Sequence, residues 1–242
     1  MNPDDAALTV GDPSFVSLSV PGLIIDAPLG VQLAIAVLLV ALVSSAVVIV
    51  RKLIQFSNAR KEADKFEKVF WSGQALDELY QALSQHRNGG MASLFVAAMR
   101  EWKRSTEGEN GQPTPRPMTG VQGRIEAVTN VALSRDVEGL GRSLGLLPAI
   151  SASAPLVGLF GLAWGLMSAF QGASGSDLAG LATVAPGVAQ GLLAAALGFL
   201  VAIPAKIFAL KFEVERARYA ARLRGFADEF TAILSRQLDR AV

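Results

Sequence analysis

The sequence predicts an all-α integral membrane protein whose three transmembrane helices are extended by long cytoplasmic helices. The prediction rests on three long charge-free stretches, a composition poor in charge, and a one-sided distribution of lysine and arginine. Hydrophobic residues make up 51% of the 242-residue chain and charged residues 18%, where soluble domains carry about a quarter charged. The mean hydropathy is +0.39.

The first stretch is Gly30 to Val50, GVQLAIAVLLVALVSSAVVIV. At about 1.5 Å per helical residue it matches the roughly 30 Å hydrocarbon core of a bilayer. The second lies within Ser143 to Ser176 and the third runs from Leu178 to Ala205. Between Arg142 and Lys206 the single charged residue is Asp177. A soluble chain of this length has too little other mass to surround three such helices. The expected spans are 30–50, 148–170 and 184–205.

Lysine and arginine set the orientation. None precedes Arg51 and none falls between Arg142 and Lys206, so the positive-inside rule puts residues 51–147 and 206–242 in the cytoplasm. The acidic N-terminal segment 1–29, with Asp4, Asp5, Asp12 and Asp26, is then extracytoplasmic, as is the short loop 171–183. An acidic leader ahead of the first span and Arg51-Lys52 after it fit a retained span, not a cleaved signal peptide.

The cytoplasmic residues read as helices. Phe66, Val69, Phe70 and Gly73 recur at helical spacing, as do Leu76, Leu79, Tyr80 and Leu83. Helix is expected from Arg51 to Arg104, broken at Asn88-Gly89-Gly90. Residues 105–120 form a polar Pro/Gly linker. A further helix is expected from Val121 up to Pro148. In the tail, Tyr219, Leu223, Phe226, Phe230 and Ile233 form a seam, which either packs on its own cytoplasmic domain or pairs with another copy.

Within the second and third spans small residues recur at helical spacing. Gly158, Gly161 and Gly165 lie in one span, and Gly187, Gly191 and Gly198, with Pro186, in the other. In lipid such residues let helix backbones approach closely. Pro155, Pro186 and Pro204 are expected at or near helix ends or kinks. Gln190 is the most polar residue well inside the third span and needs partners there. It serves either an interhelical hydrogen bond or a transport path. Trp164 reads as packing or an interfacial anchor. The chain has no cysteine and a lone His86, which excludes disulfides, thiolate metal sites and a histidine metal site. No nucleophile elbow, phosphate loop or carboxylate pair is present. No enzyme activity, cofactor, metal or nucleic-acid partner is expected. A permease is disfavoured by three spans without an inverted repeat.

Several motifs resemble the TolQ/ExbB/MotA family of ion-driven membrane motor subunits. They are Phe70-Trp71-Ser72-Gly73 followed by Leu76, Glu78, Leu79 and Tyr80, and then Phe95 to Lys103, FVAAMREWK. The pore-helix segments are Gly158 to Gly165, GLFGLAWG, and Ala185 to Ala205. The last is Phe226 to Leu234, FADEFTAIL. The resemblance covers about residues 30–240 in order, and FWSG favours the TolQ branch over the ExbB branch.

The resemblance implies a homo-oligomer, a pentamer, in the bacterial inner membrane. It would surround a TolR-like pair of single-span helices, each with an aspartate, and energise a TolA-like partner for outer-membrane integrity and division. It also implies that Leu162, Gln190 and Ala195 occupy proton-path positions. There this sequence departs from the family pattern, with Leu162-Ala163 for Thr-Val, Gln190 for Glu and Ala195 for Thr. The scaffold motifs stand while the polar groups are replaced. That leaves a motor subunit conducting through the partner aspartate, a drifted or engineered form with weakened conduction, or a non-conducting scaffold, with an ExbB-like subunit energising outer-membrane transport as the alternative within the family.

Overall fold

The computed structural model describes residues 20–85, 88–107, 120–173 and 180–240. His86, Asp4, Asp5, Asp12, Asp177 and residues 108–119 of the 105–120 linker lie outside the described residues. The described chain is helical, with α1 Val20–Ile25, α2 Leu29–Phe70, α3 Leu76–Ser84, α4 Gly90–Glu107, α5 Val121–Gly141, α6 Leu146–Ala173 and α7 Gly180–Arg240. Three helical stretches are long and apolar enough to cross a membrane: Leu29–Phe70, Val121–Gly172 and Val184–Arg236. The chain divides into two compact units. One comprises Met1–Leu42 and Ala152–Ile203, the other Val43–Ser151 and Pro204–Val242.

In the first unit, α2 starts directly after Pro28, whose carbonyl accepts the Gln32 amide at 3.0 Å. The Gln32 side-chain Nε2 donates to the Ile25 carbonyl at 2.8 Å. This satisfies a carbonyl left unpaired at the end of α1 and ties the two helices. Pro186 lies near the start of α7, as expected of a residue near a helix end, while Pro155 lies inside α6 and Pro204 deep within α7. A proline inside a helix removes one i→i−4 bond, and the helices continue through all three.

In the second unit, α2 runs uninterrupted to Phe70 and then turns over Trp71–Gly73. The expected unbroken helix to residue 87 therefore does not form. Gly73 takes φ +83, the left-handed conformation that glycine tolerates and that closes helix C-termini. The Ser72 hydroxyl donates to the Val69 carbonyl at 2.7 Å. Helix α5 likewise stops at Gly141, short of Pro148. Ser143 adopts φ 66, and α6 restarts at Leu146.

The core of this unit is aromatic. Phe66, Phe70, Phe95, Phe226 and Phe230 pack with ring centroids 5.2 to 6.0 Å apart, within the range of favourable offset and edge-to-face pairs. Tyr219, Leu223, Phe226 and Phe230 of the tail seam are buried there, joined by Leu234 and not by the half-buried Ile233. The seam thus packs on its own unit. Ion pairs join the helices at the rim. Arg222 binds Glu67 at 2.7 Å and Asp64 at 2.6 Å, Lys103 binds Asp77 at 2.8 Å, and Arg60 pairs with Glu215. A second cluster stacks Phe56 on Phe212 over the fully buried Leu147.

Two buried polar arrangements stand out. Lys52 is 6% exposed, and its ammonium donates to the Leu140 carbonyl at 2.7 Å and to Gln55 Oε1 at 2.8 Å. A cation suits the carbonyl end of a helix, here the end of α5. Asp136 accepts the Ser93 hydroxyl at 2.7 Å and the Gly90 amide, and so caps the start of α4 from α5. Burial pushes the Asp136 carboxyl above the ordinary aspartate value, against the lowering effect of those two hydrogen bonds.

Candidate functional site

The site is the contact between α6 and α7 in the first unit, and it is built from glycine. Helices in lipid gain nothing from burying apolar side chains against each other, so they associate by close packing, which small residues allow. A Cβ placed on Gly198 would come within 2.7 Å of the Ala154 carbonyl oxygen. One on Gly165 would come within 2.9 Å of the Gly187 carbonyl oxygen and the Gly191 Cα. One on Gly158 would come within 3.0 Å of the Ala194 carbonyl oxygen. Along this seam the two backbones touch with no side chain between them. Gly187 sits against Ala169 in the same way, at 2.8 Å.

Helix α2 joins at two points. A Cβ on Gly161 would meet Ala194 Cβ at 2.7 Å and Ala34 Cβ at 3.2 Å, so three helices converge there. Gly30, at the start of α2, lies directly under the Trp164 indole, and Phe160 packs on that indole with centroids 5.7 Å apart. Ala27, Val31, Ile35 and Ala194 form the buried apolar contact beside it. Trp164 is therefore a packing residue on its α2 face.

Leu162 lies in the α6/α7 seam, its carbonyl oxygen 3.0 Å and its Cδ1 3.2 Å from a Cβ built on Gly191. Ala195 lies in the same seam, its Cα 3.1 Å from a Cβ built on Gly158. Gln190, next to Gly191, is 6% exposed and Ala195 9%. Pro186 is exposed in the second turn of α7 and takes no part in the close contacts given for the glycines. Leu162 and Ala195 are thus brought to one seam, with Gln190 buried one residue from it. Among the described residues of 152–203 no side chain is ionisable. Gln190 offers hydrogen bonds but no titratable proton.

Small-residue stripes that need close neighbours are expected to support packing between copies. The glycines are used within the chain, between α6 and α7. What the helices leave exposed is large and apolar: Leu33, Val37 and Val40 on α2, Leu156 and Phe170 on α6, and Phe199, Leu200 and Ile203 on α7. Sequence reasoning missed three further residues. They are Gly30 under Trp164, Lys52, buried despite following a charge-free span, and Ser45, only 2% exposed in the first span. A lone glycine, a lysine after a span and a serine pair carry no pattern that separates them from ordinary residues.

The fold and the seam define an all-helical membrane protein with a glycine-packed pair of spanning helices. Residues 88–224 match the MotA/TolQ/ExbB proton channel family, and the chain belongs to that family. It is similar to the Tol-Pal system protein TolQ of Pseudomonas aeruginosa, 38% identical over 89% of this chain and 92% of that one. It is 37% identical to the Tol-Pal system protein TolQ of Haemophilus influenzae over 89% of this chain and 93% of the relative. The biopolymer transport protein ExbB of Salmonella typhimurium is 30% identical over 92% of this chain and 88% of its own.

Proposed function

We propose that this chain is a TolQ-like subunit of the bacterial inner membrane, not an enzyme. In this reading it forms a proton-motive-force-driven motor with a TolR-like single-span pair and energises a TolA-like partner for outer-membrane integrity and cell division. The observation that carries the reading is the similarity to two TolQ proteins along 89% of the chain. Residues 1–29 lie in the periplasm, and 51–147 and 206–242 in the cytoplasm, because every lysine and arginine falls in those last two segments. The chain assembles as a homo-oligomer, a pentamer, through the large apolar faces it leaves exposed. The α6/α7 pair then acts as one stiff pore wall, since helices in backbone contact cannot slide without clash.

A second reading, a non-conducting scaffold of the same shape, is favoured by the apolar Leu162 and Ala195 and the non-titrating Gln190. Rescue of detergent sensitivity and septation in cells lacking their own TolQ separates the two. Full rescue supports the motor, and assembly without rescue supports the scaffold. Single cysteines at Ser14 and Ser105 test sidedness with an impermeant thiol reagent in intact cells. Labelling at Ser105 but not Ser14 overturns the topology.

A further inference from the structure

The hairpin of α4 and α5 carries a groove of about 270 Å³, whose residues lie outside the expected spans 30–50, 148–170 and 184–205. Its floor is apolar, made by Ala97, Val128, Val131 and Ala132, with Val128 37% and Val131 51% exposed. Its rim holds three arginines, Arg100 and Arg104 one turn apart on α4 and Arg135 on α5. Among the described residues none of these three has a carboxylate partner, while Arg60, Arg124 and Arg222 in the same unit each have one. The single acid in the groove, Glu101, is already held by Arg124 at 3.2 Å. The groove is therefore cationic at its rim and greasy at its base.

We propose that this groove docks an acidic, apolar-anchored peptide segment of a soluble partner protein. Charge complementarity selects the occupant. Guanidinium groups match carboxylates in fork geometry, and three without a carboxylate partner among the described residues, around an apolar floor, suit a segment with carboxylates a helical turn apart flanking an aliphatic residue. Such a segment would neutralise the rim and bury Val128 and Val131 together. Amphipathic helices docking in grooves use this arrangement, with apolar anchors for affinity and charge for selection. A lipid surface would need a longer charge-free face than Ala127–Ser134, which Arg124 and Glu126 bound on one side and Arg135 and Asp136 on the other.

The test uses the full chain in a non-ionic detergent and fluorescence anisotropy. The probe is a labelled helical peptide with two glutamates one turn apart and a leucine between them. Its control is the same peptide with lysine for glutamate. The glutamate peptide should bind and weaken as salt rises, and the lysine peptide should not bind. Arg100→Glu with Arg135→Glu should raise its Kd at least about tenfold, and Val131→Asn should raise it several-fold. Arg218→Glu, away from the groove, should leave it unchanged. Arg100→Gln with Arg135→Gln repeats the test should the charge reversal lower helix content. Equal binding of both peptides, no binding of either, or a Kd indifferent to the arginine changes overturns the proposal. A changed assembly mass with an unchanged peptide Kd overturns it in favour of an interface between copies.

Discussion

Gly198 and the Ala154 carbonyl oxygen lie so close that a single added Cβ would stand 2.7 Å from that oxygen. The neighbour is backbone, so it cannot swing aside as a side-chain tip would. The same holds for Gly165 against Gly187 and for Gly158 against Ala194. The seam is thus fixed at three levels, between 154 and 165 on α6 and between 187 and 198 on α7, which makes α6 and α7 one mechanical element.

The first prediction compares glycines with and without neighbours. Gly191→Leu forces a side chain into the Leu162 backbone, and overpacking of this kind costs about 1–3 kcal/mol. Gly123→Ala in α5 meets nothing within 4 Å. Removing a helical glycine there should be neutral or stabilising, by up to about 1 kcal/mol. Thermal unfolding of the purified chain in detergent should show a clear loss for the first and none for the second. Equal midpoints for both would mean that the seam is looser than its distances.

A second prediction concerns Gly90. It combines φ +60 with a close approach to the Tyr219 hydroxyl, 2.5 Å from a built Cβ. Gly90→Ala therefore carries a left-handed backbone cost of about 1–2 kcal/mol plus the displacement of Tyr219. Tyr219→Phe removes the hydroxyl and should recover part of the loss, leaving the backbone part. A double-mutant cycle in chemical denaturation measures this coupling. Zero coupling would mean that Tyr219 moves away freely.

The membrane character, the glycines of the seam and the aromatic core were all readable because each repeats at a helical period. Phe66 and Phe70, and Phe226 and Phe230, each stand four residues apart, the spacing of one helix face. What could not be read was how the repeats are used. A glycine stripe has the same spacing whether its neighbour is the next span or the next copy. The break at Trp71–Gly73 was missed because Gly73 continues the apolar period while its φ ends the helix. The break at Ser143 has no proline or glycine at the turning residue itself. Lys52 looked like a cation placed beyond a span. It became a buried cap only when the fold brought the Leu140 carbonyl to it from 88 residues away.

The third prediction is a pH dependence. Burial raises the Asp136 carboxyl above its ordinary value. Between the ordinary and the raised value the folded chain holds a proton that the unfolded chain has released. Stability from this group is therefore present at lower pH and is lost as pH rises through that window. Asp136→Asn keeps an oxygen for Ser93 and Gly90 but cannot ionise. Relative to the unaltered chain it should gain stability as pH rises above the ordinary aspartate value of about 4, measured by denaturation midpoints. A difference that stays flat with pH would remove burial of Asp136 as the cause.

The last prediction concerns ion flow past the wall that α6 and α7 form. A charge without partners at the bilayer centre costs at least about 2.5–3.5 kcal/mol, so a proton path needs water or polar groups to carry it. Leu162 and Ala195 present only apolar surface in the α6/α7 seam. Gln190, 6% exposed, can hydrogen-bond but cannot balance a passing proton. In the motor proposed above, a partner aspartate facing this wall would meet an apolar surface, where a charged carboxylate is disfavoured. Leu162→Thr and Ala195→Thr would give a water chain two anchors, and Gln190→Glu would add a titratable group. Each 1.4 kcal/mol or so taken from the barrier is a tenfold gain in rate. The triple variant, co-reconstituted with a TolR-like partner, should therefore carry protons into vesicles on the order of tenfold faster than the unaltered chain. Gln190→Glu alone should fare worse, because a buried carboxylate without the added hydroxyls and water is left unpaired. A flux that is already high in the unaltered chain and does not rise in the triple variant would show that conduction bypasses these three positions.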